Sequence, residues 1–269
     1  MNNIQLIDRL NDKKRLEHAE WTQLFSDFSD SDRKYAADIA HKIALKNFGH
    51  DIFVRGLIEI SNICKNDCLY CGIRKSNRCV KRYRMHREEI MSCCETGHAA
   101  GFKTFVLQGG EDAYFTDEVM CGIISAIRTR FPDCAITLSL GERSYSSYKR
   151  MFDAGADRYL LRHETADEEH YKKLHPDTLS FKNRMKCLHS LKEIGYQTGC
   201  GMMLGSPFQT AESLASDMIF MADFRPHMIG IGPFLPAKNT PFENCAPGSP
   251  ELTLFSLSLC RIMLPDVLL

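Results

Sequence analysis

Gly56-Leu57-Ile58-Glu59-Ile60-Ser61-Asn62-Ile63-Cys64-Lys65-Asn66-Asp67-Cys68-Leu69-Tyr70-Cys71 opens with a short β-like run, GLIEIS, and passes straight into three closely spaced cysteines. Downstream, further β-like runs follow in order: KTFVLQ, CAITLSL, DRYLL, QTGCGMML and HMIGIG. Amphipathic helical segments such as Thr116–Arg130 and Thr210–Phe224 separate them, an alternation that predicts parallel strands joined by crossover helices. Ala-Gly-Phe-Lys-Thr at 100–104, Ala-Gly-Ala-Asp-Arg at 154–158 and Ile-Gly-Tyr-Gln-Thr at 194–198 each set a glycine after a helical pattern and before a strand, as a helix C′ position requires. The expected fold class is therefore α/β, a (βα)8-type TIM barrel with its reactive groups at the C-terminal ends of the strands. Only six βα units are legible. A sixth helix around Glu251–Leu264 runs into Leu-Pro-Asp-Val-Leu-Leu, so a barrel truncated before its seventh and eighth strands is expected.

Outward from the first strand, residues 1–55 read as a helical extension and 56–269 as the barrel. In the extension Leu16, Trp21, Leu24 and Phe25 share one apolar face. Ser31-Asp32 is the expected cap for a run through Ala36, Ala37, Ile39, Ala40, Ile43 and Ala44. With 269 residues and 44% hydrophobic content, the chain can bury one large core. Lys+Arg equals Asp+Glu at 34 each, and with no basic block apparent, the electrostatic footprint of a nucleic-acid binder is missing. A small-molecule partner is favoured. No apolar run approaches the roughly 18 residues that span a bilayer, so no membrane partner and a soluble, cytoplasmic protein are expected.

Twelve cysteines are present, and nine lie scattered through helical or strand patterns as small core or half-buried residues. A disulfide framework belongs to small secreted domains, so thiols or metal ligands are expected here. Cys64, Cys68 and Cys71 differ because they share one loop after a strand. Thiolates suit iron–sulfur clusters, and since a cubane normally takes four, three leave one iron able to accept an exogenous chelating ligand. A zinc site would instead want two separated pairs, or a His at finger spacing, and His86 lies too far along.

Other strand ends carry polar groups. Gln108-Gly109-Gly110-Glu111-Asp112 is a turn where glycines permit close approach of backbone to a ligand, or simply a strand-to-helix turn. Leu160-Leu161-Arg162-His163-Glu164-Thr165 brings charges to the barrel mouth, where they either pair with each other or meet a polar ligand. Arg184 starts a helical run and can hold a carboxylate by two parallel hydrogen bonds, or lie on a solvated helix face. Gly199-Cys200-Gly201-Met202-Met203-Leu204-Gly205 is glycine-rich for a strand interior. Either a ligand such as an adenine ring approaches at Gly201 and Met202, or the glycines serve barrel curvature.

C-x3-C-x2-C with an aromatic residue, Tyr70, before the last cysteine resembles the cluster motif of the radical S-adenosylmethionine (SAM) superfamily. The resemblance implies a [4Fe–4S] cluster on Cys64, Cys68 and Cys71, with SAM chelating the open iron by its amino and carboxylate groups. One electron then cleaves SAM to methionine and a 5′-deoxyadenosyl radical. Gly109-Gly110-Glu111 resembles the family's glycine–glycine–glutamate motif, which contacts the methionyl amino group.

Taken in order, GLIEISNIC, CLYCGIR, KRYRM, VLQGGED, ITLSLGE, AGADRYLLRHET, KLHPDT, LKEIGYQTGCGMMLG and GIGPFLP resemble the HydE family of [FeFe]-hydrogenase maturases, in the biotin synthase-like group. LLRHET and GIGPF separate the chain from biotin synthase itself. That resemblance implies a role in assembling the hydrogenase di-iron subcluster, on a small organometallic substrate delivered by the maturase HydG, with radical attack at sulfur. Partners implied are a reductant such as ferredoxin or flavodoxin and the other hydrogenase maturases. It also implies that Arg162, Glu164 and Arg184 surround SAM and that Gln108 and Met228 face the substrate cavity. No catalytic acid, base or nucleophile is assigned. Alternatives are a methylornithine synthase-like or biotin synthase-like enzyme on an organic substrate, and a non-catalytic scaffold carrying a cluster. One departure stands out: the family often reads Gly-Leu-Pro-Gly-Gln-Thr where this chain has Gly205-Ser206-Pro207-Phe208-Gln209-Thr210, so Phe208 replaces a residue free to take positive φ.

Overall fold

The computed structural model describes residues 1–269. Three helices lead, α1 (Asn3–Lys13), α2 (His18–Ser26) and α3 (Asp30–Phe48). There follow β1 (Gly56–Ser61), α4 (Arg87–Ala99), β2 (Thr104–Gly109), α5 (Asp117–Arg130), β3 (Ala135–Ser139), α6 (Tyr145–Asp153) and β4 (Arg158–Leu160). The remainder is α7 (Glu168–Leu174), α8 (Phe181–Ile194), β5 (Gln197–Cys200), β6 (Met203–Leu204), α9 (Ala211–Phe224), β7 (Met228–Ile229), β8 (Gly232–Pro233) and α10 (Pro250–Met263). Six strands form one parallel sheet in the order β1-β2-β3-β4-β5-β7, the expected βα progression.

Ser29, and not the expected Ser31-Asp32 pair, caps α3: its hydroxyl accepts from the Asp32 N–H while the Asp32 carboxylate accepts from the Ser29 N–H. A capping box needs its acceptor at the third helical position, and Asp32 supplies it from inside the first turn. Leu16, Trp21, Leu24 and Phe25 are buried, and the N-terminal helices share one continuous hydrophobic core with the barrel helices. Gly101, Gly155 and Gly195, the three punctuating glycines, all take positive φ.

Along β1, Ile58 and Ile60 enter the core with Phe105 and Leu107 of β2. Leu57, Glu59, Val106 and Gln108 alternate onto the opposite face, because successive strand side chains point to opposite sides. The expected fifth and sixth strands are each interrupted. β5 pairs with β7 and β6 with β8, but between them Met202 bridges to Glu164. A Cβ on Gly201 would stand 1.9 Å from the Gly230 carbonyl oxygen. A glycine is therefore required here by the close approach of the chain's own backbone. Met202 is likewise a core residue with 0% exposure.

All the polar strand ends lie at the same end of the sheet, where β1 runs into the cysteine loop and β2, β3 and β4 into Glu111, Glu142 and Arg162. Phe208 adopts φ 67° and stays exposed, so the substituted loop keeps a left-handed residue at a cost of about 1 kcal/mol. Gln209 holds that loop by accepting from the Gly205 N–H (2.6 Å) and donating to the Met203 carbonyl (2.8 Å).

Candidate functional site

The cysteine loop has no regular secondary structure, so side chains must satisfy its backbone. Arg82 does most of this, donating to the carbonyls of Asn62, Ile73 (2.8 Å), Arg74 (2.6 Å) and Asn77 (2.9 Å). Arg74 donates to Asp67 at 2.6 Å, and Arg84 makes a bidentate pair with Asp112 at 2.7 Å on both oxygens. Asp112 also accepts from Ser61 at the end of β1 (2.8 Å), which ties the turn after β2 to the root of the loop.

Gly110 lies directly against that loop. A Cβ there would meet the Ile63 carbonyl oxygen at 2.4 Å and Cys64 Cβ at 2.8 Å, a backbone atom and a Cβ fixed to it, neither of which can swing away. Gly110→Ala is expected to push Cys64 out of line and lower bound iron per chain severalfold, with an unchanged far-ultraviolet spectrum. Iron analysis after anaerobic reconstitution checks this.

Cys64, Cys68 and Cys71 are all half-buried thiols. Burial, then the neighbouring Cys71, pushes the Cys68 thiol up to about 12, and burial likewise raises Cys71. Cys68 and Cys71 are thus held as neutral thiols until a bound cation displaces their protons.

Facing them are charged groups from other strand ends. Arg184, 7% exposed, is not on a solvated helix face: its Nε donates to Glu142 (2.6 Å) and its Nη1 to the Arg162 carbonyl (2.7 Å). The Glu142 N–H in turn donates to Glu111 at 3.0 Å, and Lys65 lies 3.1 Å from the same carboxylate. Arg162 donates to the Met202 carbonyl (2.6 Å) and lies 3.3 Å from Glu164, whose backbone takes φ 65°. Glu164 Oε2 is the atom that faces Arg162 in this ion pair, whereas Arg162 Nε is buried without a hydrogen-bond partner. Such an orphan is costly unless a ligand satisfies it. Together with the thiol donor set and the Gly110 cradle, it fits an iron–sulfur cluster carrying an amino-acid ligand.

Behind this strand end lies a pair that sequence reasoning passed over. His163 and Asp217 are both fully buried, with Nε2 and Oδ1 3.3 Å apart. The Gly201 N–H donates to His163 Nδ1 (3.2 Å), which leaves the ring proton on Nε2, directed at Asp217. Residue 163 thereby turns inward while its neighbours Arg162 and Glu164 turn toward the site. His175 was missed too. Its Nδ1 donates to the Tyr171 carbonyl (3.0 Å), so Nε2 accepts from the Tyr70 hydroxyl (3.3 Å) and holds the aromatic residue of the cysteine motif.

Burial lowers His175 to about 3, far below an ordinary imidazole. Below about pH 6.5 the unfolded chain binds a proton that the folded chain refuses, so stability is full above that pH and falls toward pH 3. About 2 kcal/mol of loss is expected between pH 7 and pH 5. Denaturant unfolding at both pH values checks it, and His175→Phe should remove most of the difference.

Of the other expected residues, Gln108 donates to Glu59 at 2.7 Å across β1 and β2. Met228 is buried against the Gly199 backbone of β5. A cleft of 680 Å³ lined by Lys65, Asn66, Glu111, Glu142, Arg143 and Asn183 borders the cysteine loop.

The sequence model of the Radical SAM superfamily matches residues 58–221. The chain is 44% identical over 258 residues to the [FeFe] hydrogenase maturase subunit HydE of Thermotoga maritima, covering 94% of this chain and 73% of that protein. It is 30% identical over 233 residues to 3-methylornithine synthase of Methanosarcina acetivorans, covering 86% of this chain and 65% of that one. The crystal structure of a methylornithine synthase superposes with a TM-score of 0.88 at 28% identity, over 97% of this chain and 77% of that one. No helix is long and apolar enough to cross a membrane. With three loop cysteines beside the charged strand ends, a superfamily model that matches residues 58–221 and a relative 44% identical over 94% of the chain, the chain belongs to the radical SAM superfamily of enzymes, which pair an iron–sulfur cluster with SAM.

Proposed function

We infer that Cys64, Cys68 and Cys71 hold a [4Fe–4S] cluster, and that the surrounding charged groups hold SAM against its open iron. The observation that carries this reading is the convergence of three loop thiols with charged groups from other strand ends, among them a buried Arg162 Nε that has no hydrogen-bond partner. When bound, the cluster supplies the electron that cleaves SAM reductively.

The chain's own groups do the positioning. Arg184 and Arg162 present guanidinium N–H donors, the fork geometry that a carboxylate takes best. Glu164 and Glu111 present acceptors suited to an ammonium, and Gly109 and Gly110 let backbone come close. Glu142 fixes Arg184, so one arginine is oriented before any ligand arrives. Gln108, held by Glu59 at 2.7 Å, and Met228 are the residues assigned to the substrate side.

The 44% identity to HydE supports the same kind of chemistry: assembly of the [FeFe]-hydrogenase di-iron subcluster on a small organometallic substrate, alongside the other maturases and with an external one-electron reductant. A second reading, an organic substrate handled as in 3-methylornithine synthase, is favoured by the 0.88 structural superposition.

The test is anaerobic reconstitution with iron and sulfide, reduction, and electron paramagnetic resonance with and without SAM. A reduced cluster signal that changes shape with SAM is expected, and a signal indifferent to SAM refutes the site. Products then separate the two readings. Addition to sulfur leaves a thioether, whereas abstraction from carbon releases free 5′-deoxyadenosine.

A further inference from the structure

The chain as a whole balances 34 basic against 34 acidic residues, but between Lys65 and Arg87 eight Lys and Arg meet a single acid, Asp67. The chain-wide balance hides this basic block, which the sequence reading passed over. Three of its arginines are structural: Arg74, Arg82 and Arg84 spend their donors on Asp67, four loop carbonyls and Asp112. Lys75, Arg78, Lys81 and Arg87 are exposed and none forms an ion pair. A helix or capping role does not account for the first three, which lie in irregular loop.

Their position is set by the same hydrogen bonds that shape the cysteine loop. The Lys75 N–H donates to the Asn66 carbonyl (2.8 Å), and the Arg74 N–H to the Cys71 carbonyl (3.1 Å). Asn77 donates to the Gly72 carbonyl at 2.9 Å. The exposed cations therefore belong to the same hydrogen-bonded loop that carries the three thiols.

We propose that Lys75, Arg78 and Lys81 form the docking surface for an acidic protein that delivers single electrons to the iron–sulfur site. This rests on the function inferred above, in which the cluster must gain an electron from outside the chain. The carrier loses one electron and the cluster gains it, with no group transferred. A single-sign patch beside the acceptor steers an oppositely charged carrier and orients it on arrival, which raises the encounter rate more than the affinity.

The experiment uses the cluster-loaded full chain and the triple variant Lys75→Glu, Arg78→Glu, Lys81→Glu, with a triple Gln variant as a milder companion. Bleaching of the cluster is followed by stopped flow with two reductants: fully reduced flavodoxin, an acidic carrier, and reduced methyl viologen, a small cation. With flavodoxin at low salt the charge reversal is expected to slow bleaching about 10- to 100-fold, and the Gln variant by less. Raising ionic strength toward 0.15 M, where the screening length is about 8 Å, should bring wild type down toward the variant. The viologen rate should not fall.

An unchanged flavodoxin rate overturns the proposal, and if the wild type also binds duplex DNA with a steep salt dependence that the variant loses, the patch serves nucleic acid instead. An equal slowing with viologen overturns it as well, since the cations would then act by shaping the loop. If the wild type shows no bleaching with either reductant, the cluster reading itself fails.

Discussion

Replacing Cys64, Cys68 or Cys71 with alanine is expected to abolish iron–sulfur binding and SAM cleavage together, to below detection, while the protein stays folded. The reasoning is about ligands. Each half-buried sulfur would be one of only three protein donors, and a cubane with two protein ligands and two open irons is not retained. Folding is spared because Arg82, Arg74 and Arg84 hold the loop through backbone and carboxylate contacts that involve no thiol side chain. Cys93→Ala and Cys121→Ala serve as controls and should leave iron unchanged. Iron and sulfide content, the 5′-deoxyadenosine yield and a thermal melt on the same preparations check the prediction. A cysteine variant that keeps its iron removes the assignment.

Arg184→Leu should have the second largest effect, and on two properties that can be separated. Removing the guanidinium leaves the Glu142 carboxylate, whose side chain is 9% exposed, without its counter-charge and the Arg162 carbonyl without its donor. Breaking a buried pair in this way costs about 3–5 kcal/mol, so a fall in melting temperature of roughly 10 °C is expected. Converting both partners to Leu should restore much of that loss, because a well-packed apolar pair avoids the desolvation of two charges. SAM binding should not return. Loss of a charge-assisted contact to a carboxylate weakens affinity by roughly 100-fold, and the double variant lacks it as completely as the single. Calorimetric titration with SAM beside a melt resolves the two. If the double variant recovers SAM affinity, Arg184 is structural only.

Much of this was legible along the chain. The three cysteines, the run of strands, the glycines at 101, 155 and 195 and the Gly109-Gly110-Glu111 turn are all local patterns. Glu142 ends the third strand run in plain view, yet nothing about Ser-Leu-Gly-Glu announces that it orients an arginine 42 residues on. Asp217 looks like one more polar residue of an amphipathic helix, and it meets His163 only because α9 packs behind the end of β4. The break after β5 escaped detection because QTGCGMML is as apolar as a continuous strand; the Gly230 carbonyl that forces Gly201 lies 29 residues on, just past the end of β7. Phe208 is an awkward residue for its loop on sequence grounds, and only the folded loop shows that it accepts positive φ.

The sequence alone determined the α/β alternation and the three-thiol loop at the end of the first strand, because spacing between neighbours is sufficient for both. Which charges face those thiols, and which turn away, was decided by the tertiary structure. Arg162, Glu164, Glu142 and Arg184 come from three separate segments, and their roles follow from burial, shared partners and unsatisfied atoms, quantities that exist only once the strand ends have been brought to one side of the sheet.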